Sequence, residues 1–257
     1  MRNLRHALKI LALTLLLAVP AAPAQAAEQA SEIIVSAAAS LTNAFDALKK
    51  TFEAAHPGVT VVTNYGASGA LLKQMESGAP VDVFASADQK TMDQAVARKL
   101  VNQATRRDFA RNGLVLVVPL DSKLALAGER DLTRPGVARI ALGNPEIVPA
   151  GRYAKESLEL SGLWAELTQK YIFGNNVRQV LDYVTRGEVD AAFVFSTDAM
   201  QARAKVRVVK ELATKTPALY PVAVTTSGTK PAARAFVDFL LGAEGQRILG
   251  SFGFGKP

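Results

Sequence analysis

The sequence predicts an α/β fold in two domains, with mostly parallel sheets flanked by helices. Three observations carry this. Apolar, β-branched runs alternate with stretches of helical periodicity from residue 32 to residue 241. Two apolar runs, 113–119 and 220–224, are placed to carry the chain from one domain to the other and back. Several strands end in a turn of small residues that opens a helix.

The elements follow in order. Ile33, Ile34 and Val35 predict a strand over 32–36. After the small residues Ala37, Ala38, Ala39 and Ser40, the spacing of Leu41, Ala44, Phe45, Leu48 and Phe52 predicts a helix over 41–55. Pro57-Gly58 turns the chain into a strand over 59–63. Gly66-Ala67-Ser68-Gly69 is a second small-residue turn, and Leu71, Leu72 and Met75 place a helix over 69–77. A strand over 81–85, a helix over 89–99 and strands over 113–118 and 138–142 come next. Pro149-Ala150-Gly151 precedes Tyr153, Ala154, Ser157 and Leu158, which predict a helix over 151–161; Asn175-Asn176-Val177 precedes Val180, Leu181 and Val184, which predict one over 177–186. Strands over 191–195, 206–209 and 221–225 follow. The last helix, 231–241, has Ser227-Gly228-Thr229 as its turn and cap and Pro231 in its first turn.

The first 26 residues read as a signal peptide. Arg2, Arg5 and Lys9 form a basic start, residues 10–19 are apolar, and Ala24-Gln25-Ala26 fits a cleavage site near Ala26 or Ala27. The predicted division is 27–113 with 225–257 as a discontinuous first domain and 114–224 as an inserted second. Removing the signal peptide lowers the net charge of +7 to a mild +4, with 27 basic residues against 23 acidic and no basic stripe of the kind that binds nucleic acid. Without cysteine there is no disulfide, thiol nucleophile or thiolate metal site.

Enzymatic chemistry finds no footing. After removal of the signal peptide the one histidine is His56, placed to cap a helix end. Asp82 and Asp88 read as turn and capping residues, and no phosphate loop or metal-ligand spacing is present. The four helix starts with small or amide residues instead suggest a site for an oxyanion. The first N–H groups of a helix have no intrahelical partner, the helix dipole adds positive potential, and small side chains let an anion approach. A serine at a helix start is also the ordinary capping residue, so both readings stand for Ser40. Arg152 and Arg178, each just after a turn, are expected on solvated helix faces.

Four strings resemble one family, the periplasmic molybdate-binding proteins that serve ABC transporters. They are Ala37-Ala38-Ala39-Ser40-Leu41-Thr42-Asn43-Ala44; residues 74–84 with Ser86-Ala87-Asp88; Gly143-Asn144-Pro145-Glu146 with Val148-Pro149-Ala150-Gly151 and Tyr153-Ala154; and Tyr220-Pro221-Val222-Ala223-Val224. The resemblance runs in order from about residue 32 to the C-terminus. It implies the two-domain fold of type II periplasmic binding proteins, with a ligand cleft between the domains. It also implies a periplasmic monomer without a cofactor, holding molybdate or tungstate and partnered by a membrane permease with its cytoplasmic ATPase. Carried over residue by residue, the oxyanion contacts fall on Ser40 and Ser68, through N–H and hydroxyl, and on Ala150 and Val177, through N–H alone. Phe195 stands where many members carry a tyrosine whose hydroxyl also reaches the anion; Ser196, Tyr153 or a water are the possible substitutes. Another tetrahedral oxyanion such as sulfate is the alternative ligand.

Overall fold

A computed structural model describes residues 31–257; the predicted signal peptide and its cleavage point lie outside the described residues. The first stretch comprises β1 (Ser31–Ala38), α1 (Thr42–Ala55), β2 (Val59–Gly66), α2 (Ser68–Glu76), β3 (Val83–Ala85), α3 (Gln89–Ala97) and β4 (Arg107–Asn112). Next come β5 (Leu114–Pro119), β6 (Ile140–Gly143), α4 (Pro149–Leu160), β7 (Tyr171–Gly174), α5 (Val177–Thr185), β8 (Ala191–Phe195), α6 (Ser196–Gln201) and β9 (Val206–Leu212). The chain closes with β10 (Ala218–Val224), α7 (Pro231–Leu241) and α8 (Ala243–Ser251).

Two five-stranded sheets result, ordered β2-β1-β3-β10-β4 and β7-β6-β8-β5-β9. Each has the same plan. Three neighbouring strands run parallel, the fourth is reversed, and the fifth pairs antiparallel with the fourth, so four of the five strands share one direction. The reversed strands are β10 and β5, the two runs expected to cross between domains. The chain leaves the first sheet through Gly113 alone and returns through residues 213–217. The expected inserted stretch ended at residue 224, whereas β10 is hydrogen-bonded into the first sheet, between β3 and β4.

The central strands β5 and β8 are buried almost throughout, which their unbroken apolar sequences allow. In the first layer Phe45, Phe52 and Phe236 interlock, with ring centroids 6.1 Å apart for Phe45 and Phe236 and 5.2 Å for Phe52 and Phe236. Four elements were not expected from the sequence. β4 has only two buried apolar residues, β7 is a short edge strand, and α6 and α8 are short helices. Conversely, the strand expected to begin at residue 138 begins at Ile140, because the Ala138 and Arg139 N–H groups both donate to the Asp190 carboxylate at 2.8 Å.

This plan positions the four turns of small or amide residues. They lie at the carboxyl ends of the parallel strands β1, β2, β6 and β7, the ends at which open α/β sheets bind ligands.

Candidate binding site between the two sheets

A small cavity lies between the sheets, and Ser40, Ser68, Ala150, Val177 and Phe195 all line it. The remaining lining residues are alanines, a glycine, Val148 and Pro149, and none carries a charge.

Ser40 sits in a single 3-10 turn between β1 and α1, with its side chain buried. Its hydroxyl does not cap α1. It lies 3.0 Å from the Tyr220 hydroxyl, 180 residues away. Ser68 is the first residue of α2, and its Oγ accepts the Ala87 N–H at 3.0 Å, which leaves the Ser68 proton free for another acceptor. Ala150 follows Pro149 in the first turn of α4. That turn presses onto the end of β6: a Cβ on Gly151 would lie 1.9 Å from the Gly143 carbonyl oxygen, so only glycine fits. Val177 opens α5, where the Asn176 side chain caps the helix by accepting the Gln179 N–H at 3.0 Å. The N–H groups of Ser68, Ala150 and Val177 therefore precede the first intrahelical bonds of three helices.

Phe195, at the end of β8, is 1% exposed, and its ring meets Tyr220 and Tyr153 with centroids 5.6 and 6.1 Å away. Both side chains weighed as substitutes for the family hydroxyl are engaged elsewhere. The Tyr153 hydroxyl lies 3.5 Å from the Pro217 carbonyl, and Ser196 Oγ donates to Asn112 Oδ1 at 2.8 Å. Tyr220 was legible only as part of an apolar strand; no local signal marked its hydroxyl.

Arg152 and Arg178 are not on solvated faces. Arg152 donates from Nε to Asp88 Oδ2 at 2.6 Å and from Nη2 to Thr91 Oγ1 at 2.7 Å, joining α4 to α3. Arg178 donates to Asn43 Oδ1 at 2.8 Å and lies 2.7 Å from Asp198 Oδ1, though its N–H is not aligned on that oxygen. Burial pushes the Asp198 carboxyl up to about 6, against the pull of the Arg178 charge. A third link is purely backbone: Gly69 N–H donates to the Ile147 carbonyl at 3.0 Å. All three join the first sheet's layer to the second's.

Asp88 caps α3 by accepting the Thr91 N–H at 3.1 Å, and Asp82 accepts the Ile34 N–H and pairs with Lys230. His56 caps α1, its ring stacked on Phe52. Among the described residues no cluster of three or more His, Cys, Asp or Glu could hold a metal cation. The arrangement can enclose a small acceptor-rich ligand.

The model of bacterial extracellular solute-binding proteins matches residues 33–255. The chain belongs to this family. Its members are binding proteins and not enzymes, and the two sheets flanking a cleft are the type II architecture. Within the solute-binding proteins, the molybdate-binding protein ModA of Escherichia coli is 38% identical over 234 residues, covering 87% of this chain and 88% of that one. A putative ABC transporter substrate-binding lipoprotein of Bacillus subtilis, YvgL, is 35% identical over 257 residues, covering 97% and 98%. The substrate-binding domain of a putative molybdenum ABC transporter from Clostridium difficile superimposes with a TM-score of 0.67 at 39% identity, covering 88% of this chain and 99% of that one.

Proposed function

We propose that this protein captures molybdate, and tungstate by the same contacts, in the periplasm and delivers it to an ABC transporter permease driven by a cytoplasmic ATPase. The observation that carries this reading is the uncharged lining of a cavity at which helix starts from both sheets meet. Ser40 and Ser68 each offer an N–H and a hydroxyl to the oxyanion, and Ala150 and Val177 an N–H each. Such a cage has no acceptor for the proton that phosphate carries near neutral pH, and a buried unpaired donor is costly. It suits a fully ionised tetrahedral anion. Between molybdate and sulfate, size decides: a fixed cage of donors fits one radius best. The names borne by the E. coli and C. difficile relatives point to the same element.

The two layers act as hinged domains, the chain crossing at Gly113 and at residues 213–217, and the protein works as a monomer. Export uses residues 1–26. Calorimetric titration of residues 27–257 tests the reading. One-to-one molybdate binding at least about 100-fold tighter than sulfate, roughly 2.7 kcal/mol, is expected. Comparable sulfate affinity moves the substrate to that anion; silence to molybdate, sulfate and phosphate overturns the anion site.

A further inference from the structure

We propose that Asn112 and Tyr220 are positioning residues that turn the Ser40 hydroxyl into a donor aimed at the bound anion. The proposal rests on the anion-site reading above. Asn112 Oδ1 lies 3.0 Å from the Gly113 backbone N–H and 3.4 Å from that of Thr197. Both can only donate, so this atom is the amide oxygen and the other is the NH₂ group. That NH₂ donates to Thr197 Oγ1 at 2.8 Å and to the Tyr220 hydroxyl at 3.2 Å.

The Tyr220 oxygen accepts from Asn112, and its single proton is free to reach Ser40 Oγ, 3.0 Å away. Tyr220 is fully buried between the Phe109, Phe195 and Phe254 rings, which hold the phenol in place, and burial keeps it protonated. A serine oxygen that accepts from Tyr220 directs its own proton elsewhere, and Ser40 lines the cavity. Ser68 reaches the same state by a different device, since its Oγ accepts the Ala87 N–H. Both hydroxyls are thereby set as donors before an anion arrives, so binding costs no reorientation.

Asn112 is the last residue of β4, immediately before the crossing at Gly113, and its partners Ser196 and Thr197 begin α6 of the second layer. The state of Ser40 is therefore tied to the arrangement of the crossing.

The test is a double-mutant cycle by calorimetry with molybdate on the signal-free protein: wild type, Tyr220→Phe, Ser40→Ala and the double variant. Tyr220→Phe is expected to weaken binding about tenfold, the worth of one net hydrogen bond. In the Ser40→Ala background the same change is expected to cost less than about twofold, because the relay then has no end. A loss of equal size in both backgrounds overturns the relay and makes Tyr220 a packing residue. Unchanged affinity in Tyr220→Phe overturns it too, while leaving the anion site intact. No molybdate, sulfate or phosphate binding by the wild type overturns the site reading and the relay with it. Circular dichroism checks that each variant folds, and Asn112→Ala, which leaves Tyr220 without its donor, is expected to reproduce the Tyr220→Phe loss.

Discussion

Arg152 Nε donates to Asp88 Oδ2 across 2.6 Å, tying the first turn of α4 to the capping residue of α3 on the opposite layer. Both side chains are largely buried, 15% and 5% exposed, and each adjoins or nears a residue that lines the cavity. In the proposed hinge motion this link forms on closure and breaks on opening. A hydrogen bond between charged partners is worth about 1.5–3 kcal/mol. Arg152→Ala is therefore expected to weaken molybdate binding at least about tenfold, mostly through faster release. Stopped-flow dissociation rates equal to those of the wild type would remove Arg152 from the closure mechanism.

Gly69 makes a prediction of opposite signs. A Cβ there would lie 2.7 Å from the Ile147 carbonyl oxygen of the facing layer. Within α2 itself, alanine is the better helix former by up to about 1 kcal/mol. Gly69→Ala is expected to raise the melting temperature of the ligand-free protein slightly while lowering molybdate affinity at least about tenfold. Loss of both stability and affinity would show that the contact belongs to the open form as well.

Phe195 supplies a gain-of-function experiment. Its ring lines the cavity, and a hydroxyl on it would add one donor to a charged ligand. Phe195→Tyr is expected to tighten molybdate binding about tenfold, the charge-assisted bond being reduced by the crowding of one added atom in a packed site. A weaker Kd with a lower melting temperature would mean that the ring edge faces Tyr153 and Tyr220 alone.

Asp198 gives a pH signature. Burial raises its folded carboxyl from 3.8 to about 6. Between about pH 4 and pH 6 the folded protein keeps a proton that the unfolded chain has released. The contribution is fully present below about pH 4 and lost as pH rises through about 6, a change of order 3 kcal/mol. Lowering the pH from 7 to 5 is expected to raise the wild-type melting temperature relative to Asp198→Asn. A gap between the two that stays constant over this range would mean that Arg178 holds Asp198 ionised throughout.

The layered fold and the turns were legible because their signals are local. A β-branched run, a small-residue turn and apolar residues at helical spacing all sit within about twenty residues of chain, as at Ile33, Ser40 and Phe52. What stayed hidden depends on partners distant in sequence. Nothing near Tyr220 announces Ser40, and nothing near Arg152 announces Asp88, 64 positions earlier. Read from its own helix, a charged residue after a helix start belongs in solvent; the opposite layer replaces that solvent with a carboxylate. β4 escaped for a related reason. Its sequence, Arg-Asp-Phe-Ala-Arg-Asn, is mostly polar, and it becomes a strand because β10 returns from the other layer to pair with it.

The division of labour among the four turns bears on how such a protein drifts over generations. At Ala150 and Val177 the proposed donor is the peptide group, which every codon except those for proline encodes. Side chains there are free to vary within the limits of packing, and the donor persists. At Ser40 and Ser68 a single nucleotide change can erase a hydroxyl. Inheritance of the binding function is thus exposed at two codons and sheltered at two others.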